Sequence, residues 1–132
     1  MSLPDLSPAG ILGRIRYDPR TKEGSVLDVI QLVTGCQTKH RSQILGSLLE
    51  KFPDLRGKIG FVKFEGRTQP TQVARLPALL EIAWLCPGKF RQEEFRQMGG
   101  ATRLCRALGG DPALVEELRR RHTGDTRPDT RV

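Results

Sequence analysis

The sequence predicts an α+β fold: a small antiparallel sheet or hairpin packed with about five helices, two of them forming a helix-turn-helix-like pair. Apolar residues recur at helical spacing in segments bounded by Gly and Pro, as in Val26, Val29, Ile30 and Val33 before Gly35. Shorter stretches alternate, as in Ile59 and Phe61 among Lys58, Gly60 and Lys63. The length, 132 residues, fits one domain with a core that needs no metal or disulfide staple.

Residues 1–10 read as an extended arm, because Pro4 and Pro8 disfavour regular pairing. A single globular domain is expected over 11–122, followed by a flexible tail over 123–132. Ile11 to Tyr17 reads as a short strand carrying Arg14 and Arg16 on one face, and Asp18 to Gly24 as a polar turn. Ser25 is placed to cap the first long helix, with Asp28 three residues on in the manner of a capping box, and Gly35 supplies its left-handed stop. Thr38 is the expected N-cap of the next helix, whose stripe is Ile44, Leu45, Leu48, Leu49 and Phe52 and whose end is Pro53. Lys58 to Phe64 is a strand that Thr71 to Ala74 pairs with as a hairpin. Leu76-Pro77 opens a helix apolar on nearly every side, with Trp84 expected to anchor the core. Lys89 to Leu108 reads as one helix whose register survives Gly99-Gly100. Gly109-Gly110-Asp111-Pro112 is a stop followed by a start, opening a last helix from Ala113 to Arg121.

Charge directs the functional reading. The chain carries 22 Lys+Arg against 15 Asp+Glu, a net of +7, which favours polyanionic partners without defining a fold. If the first two helices act as a helix-turn-helix, the start of the second meets bases and phosphates. Lys39, His40, Arg41 and Gln43 occupy that start, with Gln43 suited to an adenine edge and Arg41 to a guanine edge or phosphate. An ordinary αα-hairpin with a solvated second helix has the same pattern. On a continuous helix, Arg96, Arg103 and Arg106 fall within a sector of roughly 80°, a row able to track phosphates. Aromatic residues make up 5%, and Phe61 and Phe64 are expected in the core, so stacking platforms are scarce and duplex DNA is favoured over single strands.

Catalysis is not expected. The two histidines, His40 and His122, are far apart, and Cys36, Cys86 and Cys105 have no metal-ligand spacing. No phosphate-binding glycine loop is present, so no cofactor or metal is expected. Three dispersed cysteines do not form a disulfide framework, which with the lack of an apolar leader points to an intracellular, reducing compartment, nucleus or cytoplasm left open. No stretch approaches the roughly 18 apolar residues of a membrane span. The alternative to nucleic acid is a protein-interaction or scaffold module that forms a homo-oligomer through the apolar helix around Trp84. The ending Thr130-Arg131-Val132 also resembles ligands of PDZ domains, a possible partner through Val132 if that is the natural terminus.

Three segments in this order, GSVLDVIQLVTG, TQPTQVARLPALLEIAWLCPGK and FRQEEFRQMGGATRLCRALGGD, resemble the Bro-N and KilA-N group of DNA-binding domains in DNA viruses and phages. Asp28-Val29 corresponds to the group's early "DV" helix, Leu79 to Leu85 to its central apolar helix, and Phe95-Arg96 to its late "fR" helix, over residues 11 to 110. The aromatic-rich entry before the first helix and the Trp of the late helix are missing. The resemblance implies an α+β fold and duplex DNA binding, without identifying the bases read.

Overall fold

The computed structural model describes residues 7–64, 66, 69–86 and 99–123. Four short strands form an antiparallel sheet: β1 (Tyr17–Asp18), β2 (Glu23–Ser25), β3 (Ile59–Val62) and β4 (Thr71–Arg75), in the order β1-β2-β4-β3. Six α-helices are present among the described residues: α1 (Pro8–Arg14), α2 (Val26–Thr34), α3 (Arg41–Lys51), α4 (Leu76–Leu85), α5 (Gly100–Ala107) and α6 (Ala113–Thr123). The expected α+β architecture is therefore present.

The amino terminus departs from expectation. Residues 8–14 are helical, where an extended arm and a strand were expected. Ser7 accepts from the Gly10 N–H and Pro8 occupies the first turn, where its missing N–H costs nothing. Proline there starts a helix as readily as it interrupts a strand. Ile11 and Ile15, four residues apart, are buried together, while Leu12 stays half exposed. Arg14 sits in the last turn, a favourable position for a cation. The "polar turn" is itself a hairpin: Tyr17 pairs with Gly24 and Asp18 with Glu23. Gly24 is needed there, because a Cβ would lie 2.9 Å from the Tyr17 ring and 3.0 Å from Leu79.

Helix α2 follows its local signals. The Ser25 hydroxyl accepts from the Asp28 N–H at 3.2 Å, and Gly35 (φ 69°) donates to the Gln31 carbonyl. Helix α3 begins later than expected. Thr38–His40 is a 3-10 turn, so Thr38 does not cap α3, and α2 and α3 are joined by six residues, Gly35 to His40. Leu45 and Leu48 are buried, with Ile44, Leu49 and Phe52 packed beside them. A second 3-10 turn, Pro53–Lys58, buries Leu55 and leads into β3.

The β3–β4 hairpin matches expectation, from Ile59 opposite Ala74 to Val62 opposite Thr71. Phe61 does not: it is 65% exposed. Ile59, on the same face two residues earlier, packs on the core, whereas Phe61 projects past it from an edge strand opposite Gln72. Helix α4 is the central element, with every residue from Ala78 to Ala83 buried within the single chain. Between Ala78 and Ala83, α4 therefore presents no exposed apolar residue, and Trp84 and Leu85 at its end are partly buried. Trp84 lies at the rim of the core, half-buried, with the Arg119 guanidinium 6.0 Å from its ring centre.

Gly99 (φ 67°) lies immediately before α5, so no continuous helix carries Arg103 and Arg106 back through Gly99. Arg96, the third member of that row, lies outside the described residues, as do Val132 and the rest of the tail beyond Thr123. Gly109 (φ 82°) ends α5, and the Asp111 carboxylate accepts from the Ala113 N–H at 2.9 Å to start α6. At Gly110 a Cβ would run into Leu76 and Cys105, so the joint between α5 and α6 closes directly onto α4.

Candidate nucleic-acid interface

A groove of about 980 Å³ opens where the end of α1, the base of the β1–β2 hairpin, the start of α2, the 3-10 turn and the end of α5 meet. Arg14, Arg16, Arg41, Asp28, Thr38 and Tyr17 contribute side chains to its lining. Three arginines against one carboxylate among the lining residues make the groove basic.

Asp28 organises the site. Its carboxylate is nearly buried at the start of α2 and accepts from the Arg16 backbone N–H (3.0 Å), Arg16 Nε (2.9 Å) and Arg16 Nη2 (3.2 Å). Arg41 Nη1 donates at 2.9 Å to Oδ1 of the same carboxylate, the oxygen that also accepts from Arg16 Nη2. Arg16 extends further, from Nη2 to the Ser25 hydroxyl and from Nη1 to the Thr71 hydroxyl, each at 3.4 Å. One arginine therefore ties the α1–β1 junction to α2 and β4. Arg41 Nη1 also donates to Gln31 Oε1, and Gln31 Nε2 donates to the Thr38 hydroxyl. The connection between α2 and α3 is held by this relay. Burial pushes the Asp28 carboxyl up, but the hydrogen bonds and charge of Arg16, with the charge of Arg41, outweigh it and hold the group below the usual carboxylate range.

Arg41 is accordingly a different residue from the one the sequence suggests. Its side chain is 18% exposed and bound to Asp28, and its Nε is buried without a hydrogen-bond partner among the described residues. A guanidinium so engaged positions α3 and is withdrawn from base edges. Lys39 and His40 are exposed on the 3-10 turn, between the groove-lining Thr38 and Arg41, and Gln43 is exposed in the first turn of α3. Arg103 and Arg106 are exposed three residues apart on α5, whose end supplies Ala107, Leu108 and Gly109 to the groove. Lys39 and His40 thus lie between two groove-lining residues in sequence and Arg106 adjoins the groove-lining Ala107, whereas Gln43, two positions after Arg41, lies toward the other side of α3, and Arg103 stands about one turn earlier in α5.

Arg14 and Arg16 join the site, although the strand expected to present them together is absent. Asp28 was legible as a capping residue, but its side chain binds arginines from either side in the chain. No local spacing signals that. Among the described residues, no group of three or more His, Cys, Asp and Glu is placed to hold a metal ion. Burial raises the thiol of Cys86 to about 12, which keeps it protonated and unreactive. No helix among the described residues is long and apolar enough to cross a membrane. No family model, curated protein or solved structure matches the chain.

Proposed function

We propose that the chain is a non-catalytic nucleic-acid-binding module with duplex DNA as its favoured ligand. The observation that carries this reading is the groove in which Arg14, Arg16 and Arg41 outnumber Asp28, with Lys39 and His40 exposed between its lining residues Thr38 and Arg41 and Arg106 exposed next to Ala107 in sequence. Asp28 pairs with Arg16 and Arg41, so these two shape the groove wall, and the exposed side chains supply the contacts. Lys39 and Arg106 suit phosphates, and Gln43 suits a base edge. The similarity of residues 11 to 110 to the Bro-N and KilA-N group points the same way. The exposed ring of Phe61 stacks one base at most, while single-strand binders present several aromatics in succession.

The test is equilibrium binding to duplex DNA, single-stranded DNA and RNA across a salt series. Duplex affinity is expected to be highest and to fall steeply with salt. Lys39→Ala combined with Arg106→Ala is expected to flatten the log–log salt dependence by about two contacts. Binding of the double variant with the wild-type slope removes these residues from the interface. Failure of the wild type to bind any polymer removes the reading.

A protein-interaction module is the second reading, favoured by Phe61 standing exposed on the edge strand β3. Sedimentation separates the two: a tight homo-oligomer with no polynucleotide affinity supports the second.

A further inference from the structure

We propose that the tip of the β1–β2 hairpin, Pro19 to Lys22, is a second phosphate-contacting element that extends the basic groove along a duplex backbone; this rests on the nucleic-acid reading above. The hairpin is already part of the groove, since Tyr17 at its base and Pro19 at its tip line it beside Arg14, Arg16 and Arg41. The tip therefore stands at the rim of a basic surface.

The tip is preorganised. The Lys22 N–H donates to the Asp18 carbonyl at 2.7 Å, closing the turn. Asp18 Oδ1 accepts from the Arg20 N–H at 2.9 Å, and the Arg20 guanidinium lies 3.5 Å from the same oxygen. At its base the Ser25 N–H donates to the Arg16 carbonyl at 2.8 Å. Pro19 restricts the turn further. A loop held this way loses little freedom on binding.

The residue choice at the tip also points to contact. Lys22 has φ 60°, the only described non-glycine residue in the left-handed region. That conformation favours Gly, Asn or Asp, and lysine has no local means of offsetting its strain. A cation is thus kept where a turn alone would favour glycine, and strain of this kind gathers at functional positions. Lys22 makes no ion pair among the described residues, and the Arg20 side chain is 90% exposed. Asp18 and Glu23 are the carboxylates nearest in the chain, and Asp18 offsets Arg20 only in part. The pair sits four to six residues beyond Arg16 in sequence, and both side chains are exposed.

Two variants test the proposal by anisotropy with a labelled duplex over a salt series, alongside thermal melting. Arg20→Gln with Lys22→Asn removes both charges, and asparagine tolerates the left-handed backbone. Affinity is expected to fall about tenfold and the salt slope by about two, with melting unchanged. Lys22→Gly relieves the strained φ, so it is expected to melt no lower than wild type while losing about one contact from the slope. A wild-type slope in both variants, with the wild-type protein binding duplex DNA normally, overturns the hairpin proposal and leaves the groove reading intact. A wild type that binds no polynucleotide overturns both.

Discussion

Asp28 and Glu81 are both nearly buried carboxylates, and each is held by two cations, yet they serve different regions differently. Asp28 binds Arg16 and Arg41, whose side chains are 26% and 18% exposed, at the wall of the basic groove. Glu81, in the middle of α4, binds Lys58 at 2.9 Å and Arg121 at 3.1 Å, and those cations are 45% and 49% exposed. Arg16 and Arg41 are largely desolvated and rely on Asp28. Lys58 and Arg121 remain half in water and rely on Glu81 much less. The first cluster builds a surface from consecutive elements. The second clamps the start of β3 and the end of α6, distant in sequence, onto the central helix.

That contrast breaks most readily at Asp28. Asp28→Asn leaves two poorly solvated guanidinium groups without their counter-ion and is expected to cost about 3 kcal/mol in chemical denaturation. A loss near zero means that solvent reaches the arginines freely. Glu81→Gln is expected to cost about 1 kcal/mol, because Lys58 and Arg121 can turn to water. Hydrogen exchange sharpens this comparison: amides of α6 are expected to speed up in Glu81→Gln, while those of α2 stay protected. Uniform acceleration refutes the local clamp.

The smallest expected effect is on acid stability. The Asp28 carboxyl is held below its ordinary value of 3.8 in the folded protein. Its contribution is therefore fully present above that value and is lost as pH falls through the lower, folded one. Below pH 4, wild type is expected to lose stability more steeply than Asp28→Asn, measured by denaturant midpoints at stepped pH. Parallel profiles argue against a depressed Asp28.

Local signals were readable wherever the chain answers to its near neighbours. Ser25 caps α2, Gly35 and Gly109 end helices in left-handed conformations, and Asp111-Pro112 starts α6. Pro8 was ambiguous because the first turn of a helix and an irregular arm both accept it, and only the joint burial of Ile11 and Ile15 separates them. The exposure of Phe61 is not readable from the sequence, because alternation identifies a strand but not whether a second layer covers its end.

Of the candidate site, the sequence offers the residue types but not their availability. Lys39, His40, Gln43 and Arg106 are exposed, while Arg41 is paired with Asp28. Charge counting treats every guanidinium as available, whereas a carboxylate 13 residues away withdraws one of them.

By itself the sequence determined the helix limits set by caps and glycines, the β3–β4 pairing, the apolar centre at α4 and the basic bias. These depend on backbone preference and on periodicity, which act over a few residues. Only the tertiary structure decided which arginines stay exposed and which are consumed, that Glu81 anchors α6, and that the hairpin base shares a groove with α3. Those outcomes depend on desolvation and on which opposite charge lies within reach, and both exist only after distant segments have packed together.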